Sequence, residues 1–380
     1  MPCKKLIVIG LISVVPVARA SLWESDNWAL TGLMSASTGY DSNLTLSHDG
    51  QGDFFVLANP SVTLARSNSS TELQIVGGVT ETEFINNREP TQTDYSFDAV
   101  FAYPNTDNVI PIYRAEASWL RSSQPDPYVG ARIRYEQVAV NTEGYMPMTS
   151  KLGLRGTLDY ASTDYDSILL NQNRHGDAFI GLAYQRDPLT EISLNLGGAF
   201  GRSEPKNPAR SFDDVRSTEF YATARVRGQL TAKLSGSIYA GLGQVRYTGG
   251  YTNRETLPVG GADLTWTADP HRTIVLAVYS GENYAPDGET ANTTRASLAF
   301  THKIIERWQY VLHGGVAHSS YYRVNRDRTD DTWNLGTDFA YQPSTRFRAS
   351  LGVTYTNQTS DISVAAFTHA VVSLTASYQF

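Results

Sequence analysis

Charged residues recur in this sequence two or four positions apart, interleaved with apolar or small ones. The sets are Arg114 and Glu116; Arg132, Arg134 and Glu136; Lys151, Arg155 and Asp159; Arg225 and Arg227; and Arg346 and Arg348. In an extended chain residues i and i+2 share a face, so each set lines one side of a strand. Arg114, Arg132, Arg134, Lys151 and Arg155 then form a cationic arc on three consecutive strands, moderated by Glu116, Glu136 and Asp159. Arg295 adds to the cations, and Glu72, Asp98, Asp177, Glu219, Asp263 and Asp338 oppose them. Such an arc would attract anionic or strongly hydroxylated solutes, whereas evenly paired charges would only hydrate and brace a wall. Tyr221 and Tyr239 fall on the same face as the arginines and could stack on sugar rings or simply fill space.

No catalytic constellation assembles from the sequence. His48, His175, His271, His302, His313, His318 and His369 are scattered over separate segments. Enzymes at the rim of an outer-membrane barrel pair a His with a Ser or an Asp. His318-Ser319 sits at such an edge and Asp164 and Asp166 lie in a loop, but one adjacent pair in a Ser-rich chain is weak support. Asp327, Asp330 and Asp331 lack the spacing of a calcium loop, and no Gly-rich phosphate loop opens a helix. The sequence therefore implies no catalytic residue, no cofactor and no metal; a His-Ser or His-Asp pair within hydrogen-bond reach in the fold is what would change that reading.

The elements that must position these residues show best at the C-terminus. Thr368, Ala370, Val372, Leu374, Ala376, Tyr378 and Phe380 alternate with His369, Val371, Ser373, Thr375, Ser377 and Gln379. A two-residue period over this length means a strand with one greasy and one small, polar face. A transmembrane barrel closes on such a strand, and Tyr378 and Phe380 at its end suit the signal that the barrel assembly machinery reads.

The same alternation runs through the chain. Leu152, Leu154, Gly156, Leu158 and Tyr160 form one lipid face; Tyr95, Phe97, Ala99, Phe101 and Tyr103 another; Phe347, Ala349, Leu351, Val353 and Tyr355 a third. A cation on that face at mid-depth costs ~2–4 kcal/mol, which fixes the register. Short turns are expected near Asn68, Thr106, Pro147, Asp187, Leu230, Pro270, Ile305 and Pro343. Longer loops are expected at 44–52, 85–92, 122–128, 161–174, 203–213, 248–257, 281–291, 320–329 and 357–363. These seventeen connections imply an all-β, antiparallel transmembrane barrel of about 18 strands, with 16 as the fallback. Short turns belong at the periplasmic end and longer loops outside.

Residues 1–20 read as a signal peptide: Lys4 and Lys5, then apolar Leu6 to Val17, then Ala18-Arg19-Ala20 for cleavage. The barrel would occupy residues 21–380. Cys3, the single cysteine, leaves with the signal. Of 31 Lys and Arg, loss of Lys4, Lys5 and Arg19 leaves 28 against 38 acids, a net charge of −10, which argues against nucleic acid as a partner. No second apolar run reaches membrane-helix length.

Gly39-Tyr40-Asp41-Ser42-Asn43-Leu44, followed by Asp53-Phe54-Phe55 and Pro60-Ser61-Val62, resembles a family of outer-membrane β-barrel porins. Many of its members are encoded beside exopolysaccharide genes. The resemblance implies export of secreted exopolysaccharide across the bacterial outer membrane, with outer-membrane lipid, polysaccharide and periplasmic export components as partners. Read from the residues alone, uptake of sugars or other small hydrophilic solutes is the alternative and a rim hydrolase a third reading.

Overall fold

The computed structural model describes residues 21–68, 70–104, 112–126, 129, 131–167, 170–207, 214–249, 254–284, 290–322 and 328–380. The expected signal peptide, the turn at Thr106 and Asp327 lie outside the described residues.

A short stub, β1 (Trp23–Ser25), is followed by eighteen long strands. The first are β2 (Trp28–Asp41), β3 (Asp53–Ser67), β4 (Glu72–Phe84), β5 (Gln92–Tyr103), β6 (Tyr113–Asp126) and β7 (Ala131–Pro147). Next come β8 (Leu152–Tyr165), β9 (Asn171–Asp187), β10 (Thr190–Pro205), β11 (Val215–Thr231), β12 (Leu234–Thr248) and β13 (Arg254–Asp269). The last are β14 (Arg272–Tyr284), β15 (Thr290–Ile305), β16 (Trp308–Tyr322), β17 (Arg328–Tyr341), β18 (Phe347–Ser360) and β19 (Phe367–Gln379). Each pairs antiparallel with the next, and β19 closes on β2 from Val371↔Asp41 to Gln379↔Leu33. The result is the expected closed barrel of eighteen strands. Its one described helical element is the single turn Ser363–Ala365.

The two-residue period decides the faces. Outward apolar side chains stay open to the surroundings, with Leu194, Leu196 and Phe220 at 67, 68 and 71% exposure. An uncovered band of that extent is a lipid face. Aromatic pairs border it. Trp308 stacks near Phe339 and Tyr341 at 4.8 and 4.4 Å on the short-turn side; Tyr40–Phe54 and Trp333–Tyr355 meet at 5.0 and 5.2 Å on the other.

The expected turns and loops fall in the expected order, but several loops are shorter. Strand β6 runs on to Asp126, β8 to Tyr165 and β18 to Ser360, so much of 122–128, 161–174 and 357–363 is strand. Alternation assigned these tips to loops because their polar residues no longer contrast with a lipid face.

The inward face is not uniform. Buried polar residues concentrate on β8 to β11, among them Asp159, Asn173, Asp177, Glu191, Asn195, Ser203 and Glu219. Inward positions of β18, β19 and β2 remain half-exposed. Side chains therefore fill one side of the lumen and leave the other open.

Candidate functional site

Near the short-turn end, two arginines and two glutamates from four strands meet inside the barrel. Arg155 donates from Nε and Nη2 to Glu191 Oε2 at 3.0 and 2.7 Å and also contacts Glu143. Arg227 completes the ring, 2.7 Å from Glu143 and 3.0 Å from Glu191. The side chains of Arg155 and Glu191 are 2% and 0% exposed. Opposite charges alternate around the quartet, so it is neutral as a unit. Strand β9 lies between Arg155 and Glu191, with Gly181 beside Arg155, Gln185 beside Glu191 and only Ala183 between those two positions on the inward face. A Cβ on Gly181 would stand 2.0 Å from Asn195 Oδ1, so glycine is needed for the close approach.

One step above the quartet, Arg225 is held differently. Its guanidinium lies 5.4 Å from the Phe179 ring and 5.1 Å from the Tyr239 ring. Its Nε is buried without a hydrogen-bond partner, and it forms no ion pair among the described residues. Arg225, Phe179 and Glu143 border two lumenal cavities of about 340 and 370 Å³. The first is lined by Tyr239, Asp263, Arg295 and Asn334, the second by Asp98, Arg114, Glu116 and Asn141.

Arg114, Glu116, Arg155, Asp159, Arg225, Arg227 and Arg348 stand on inward positions. Arg114 Nε and Glu116 Oε1 are 2.5 Å apart. Tyr221 lies flat over Gly197 and donates to both Asp177 oxygens at 2.9 and 2.7 Å, so its hydroxyl is engaged. Tyr239 lies over Gly261 and faces the cavity. Tyr378 and Phe380 face outward, 5.0 Å apart, and the Phe380 amide donates to Gly32 at 2.8 Å.

Five placements differ from expectation. Lys151 and Arg346 lie in exposed turns at the short-turn end, Lys151 6.0 Å from the outward Tyr184 ring. Arg134 and Glu136 share the outward face of Val138 and Val140, and Glu136 accepts from Trp119 Nε1 at 2.7 Å. Both stand toward the long-loop end, where a charge on the outer surface carries little lipid penalty. Arg132 shares that outward parity but reaches the mouth by another route. Above the Tyr95–Arg121 pair, the β6–β7 hairpin leaves β5. Arg132 then meets inward groups of β4 and β5: its Nε donates to Gln92 Oε1 at 3.1 Å and its guanidinium lies 5.7 Å from Phe84. Its Nη1 donates at 3.3 Å to the Leu44 carbonyl of the β2–β3 loop. The β6–β7 hairpin and the β2–β3 loop thus meet over β4 and β5, and Leu44 of that loop is buried. Beside it Ile133, Tyr135, Tyr165 and Leu170 form an apolar cluster, so the mouth is narrowed on this side.

Residues 202–380 match the family described as Putative beta-barrel porin 2. The protein is a porin-like β-barrel of the outer membrane. The matched stretch carries β11 to β19, while the Tyr40–Leu44 step lies before it. No curated protein sequence matches the chain. Among solved structures, the porin-like barrel is similar to the outer membrane protein OpdK of Pseudomonas aeruginosa. That alignment has 11% identity and a TM-score of 0.44 over 92% of this chain and 98% of that one. OccK3 (OpdO) of the same organism gives 10% and 0.43 over 92% and 95%. The siderophore receptor PirA, also from that organism, gives 11% and 0.39 over 94% and 81%.

Glu143, Glu191 and Phe179 escaped the sequence reading of the porin-like barrel. The signal for Glu191 was present: Glu191, Ser193 and Asn195 alternate with Ile192, Leu194 and Leu196. Nothing local marks Glu143 or Phe179 as partners of Arg227 or Arg225. Among the described residues no cluster of His, Cys, Asp and Glu could hold a metal ion.

Proposed function

We propose that the barrel is a passive conduit for saccharide, and that its cargo is exopolysaccharide leaving the cell. The observation that carries this is Arg225, set between Phe179 and Tyr239 where two lumenal cavities adjoin. A sugar ring presents apolar C–H faces and a polar edge of hydroxyls. Flat aromatic rings and a planar guanidinium, with carboxylates and amides around them, complement both. The outward direction, the periplasmic export partners and recognition by the barrel assembly machinery rest on the resemblance and on the Tyr378–Phe380 terminus.

The narrowed mouth favours a second reading, uptake of small hydroxylated solutes. Leu44 and Arg132 join the β2–β3 loop to the β6–β7 hairpin there, which suits a small cargo. A clean deletion separates the two. Loss of surface polysaccharide with unchanged sugar uptake supports export; slowed uptake with intact surface polysaccharide supports the second reading. A deletion that alters neither overturns both.

A further inference from the structure

At the long-loop end of β16 and β17, three polar side chains stand together outside the lumen, where a conduit has no use for them. His318 and Asp331 are direct partners across the β16–β17 ladder, and Ser320 follows His318 by two. All three share the outward face of Val316, Trp333 and Leu335. The residues between them face inward: Ser319 Oγ is 3.0 Å from Thr293 Oγ1, and Tyr321 lies 4.3 Å from the Arg328 guanidinium.

His318 Nδ1 is 2.7 Å from Asp331 Oδ1, and its Nε2 is 3.3 Å from Ser320 Oγ. A carboxylate only accepts, so Nδ1 carries the proton of the neutral ring. Nε2 then offers its lone pair to the Ser320 hydroxyl. Carboxylate, imidazole and hydroxyl thus follow the order of an activated serine nucleophile. The His318 and Asp331 side chains are 56% and 64% exposed, so a substrate can reach them from outside.

Height narrows the substrate. Trp333, paired with Tyr355, belongs to the outer aromatic border, and Asp331 lies two residues beyond it. A rise of ~3.3 Å per residue and a tilt of ~40° put His318 and Asp331 roughly 5 Å, and Ser320 roughly 10 Å, outside that border. The site thus stands on the headgroup side of the outer leaflet, from which a lipid's ester linkage is reached by a small outward displacement of the lipid.

We propose that Ser320, His318 and Asp331 form a site that hydrolyses an ester-linked acyl chain of an outer-leaflet lipid, independently of the conduit. Ser320 Oγ bonds to the ester carbonyl carbon while its proton passes to His318 Nε2. Collapse of the adduct breaks the bond from carbonyl carbon to alcohol oxygen, and the alcohol leaves with that proton. Water then adds to the acyl-Ser320 carbonyl, giving a proton to His318. The fatty acid departs and the proton returns to Ser320. Asp331 holds the ring and stabilises its cationic form. The register places Asn292 of β15 opposite Ser320, and donation from its Nδ2 would serve the carbonyl oxygen as it gains charge.

The test uses the full-length barrel, purified in detergent and shown to be folded by heat-modifiable mobility. It is offered a fluorophosphonate probe, phosphatidylethanolamine micelles and a lipid A preparation. Wild type should take up the probe on Ser320 and release fatty acid from one or both lipids; which lipid responds identifies the acyl source. S320A should lose labelling, and S320A and H318N should each lower release by about a thousandfold or more. S319A, whose hydroxyl faces the lumen, should retain wild-type rates. Folded wild type that neither labels nor releases acid, or S320A as active as wild type, overturns the proposal and leaves a surface ion pair beside a hydroxyl.

Discussion

Arginine serves this barrel in three ways: locked in a buried quartet, as with Arg155, bare between two rings in the lumen, as with Arg225, and on a carboxylate beyond the membrane. Arg155 is locked in a buried, neutral quartet with Glu143, Glu191 and Arg227. Removing one member leaves an uncompensated buried charge, which costs ~3–5 kcal/mol, whereas removing an opposed pair costs far less. Arg155→Ala should therefore lower the urea midpoint in lipid vesicles markedly, and Arg155→Met with Glu191→Leu should recover most of the loss. A third use appears beyond the membrane. Arg202 donates to Asp214 at 3.0 and 2.9 Å, and Arg216 at 2.7 Å, holding this carboxyl at about 2 against an ordinary 3.8. A depressed carboxyl stabilises the fold above its ordinary value and stops doing so as pH falls through its folded one. Protection of the Val215 and Arg216 amides, measured against the intrinsic exchange rate at each pH, should thus hold above about pH 4 and fall toward about pH 2.

At the scale of elements, the mouth and the closing strand carry the consequences. The β2–β3 loop reaches Arg132 through the Leu44 carbonyl, while the Asn43 amide donates to Ser47 and Thr368 at 2.8 and 3.0 Å. The loop is pinned at both sides, so it narrows the mouth as a fixed strap. Replacing residues 43–51 by a short turn should raise single-channel conductance in planar bilayers without shifting thermal stability much. Unchanged conductance would place the narrowest point deeper, at Arg225. The closing strand ends with the Phe380 amide bonded to Gly32 and its ring against Tyr378. Phe380→Asp should reduce heat-modifiable barrel in outer-membrane fractions, because it puts a charge on the aromatic border of the strand that completes the sheet. Wild-type levels of folded protein would remove Phe380 from any role in assembly.

For the whole molecule, what passes depends on how lumenal charge is distributed rather than on its total. The quartet cancels internally, and Arg114 is answered by Glu116. Arg225 has no such answer among the described residues and borders both cavities. A charge there acts over roughly 8–10 Å at physiological salt, comparable with a partly filled lumen. Arg225→Gln should move the reversal potential under a salt gradient toward cation preference. Arg134→Glu, on the outer face, should leave it in place. Equal shifts from both would mean that overall charge decides.

The sequence by itself determined which residues meet lipid. Leu152 to Tyr160 and Phe347 to Tyr355 could be placed because a misplaced cation is costly in hydrocarbon and a slip by one residue reverses every side chain. The same constraint made the eight turns and eighteen strands countable. It weakens beyond the aromatic borders, which is why Arg134 and Glu136 lie outside and the tips of β6 and β8 are strand. It also says nothing about which inward groups meet. Arg155 reaches Glu191 only because the stagger of β8, β9 and β10 sets Gly181 beside it and Ala183 between them. Arg132 reaches Leu44 only because a hairpin leaves its neighbour. His318 finds Asp331 only because β16 and β17 pair in one register. Those distances depend on how strands align around a closed sheet, and alignment belongs to the tertiary structure because no two-residue period encodes it.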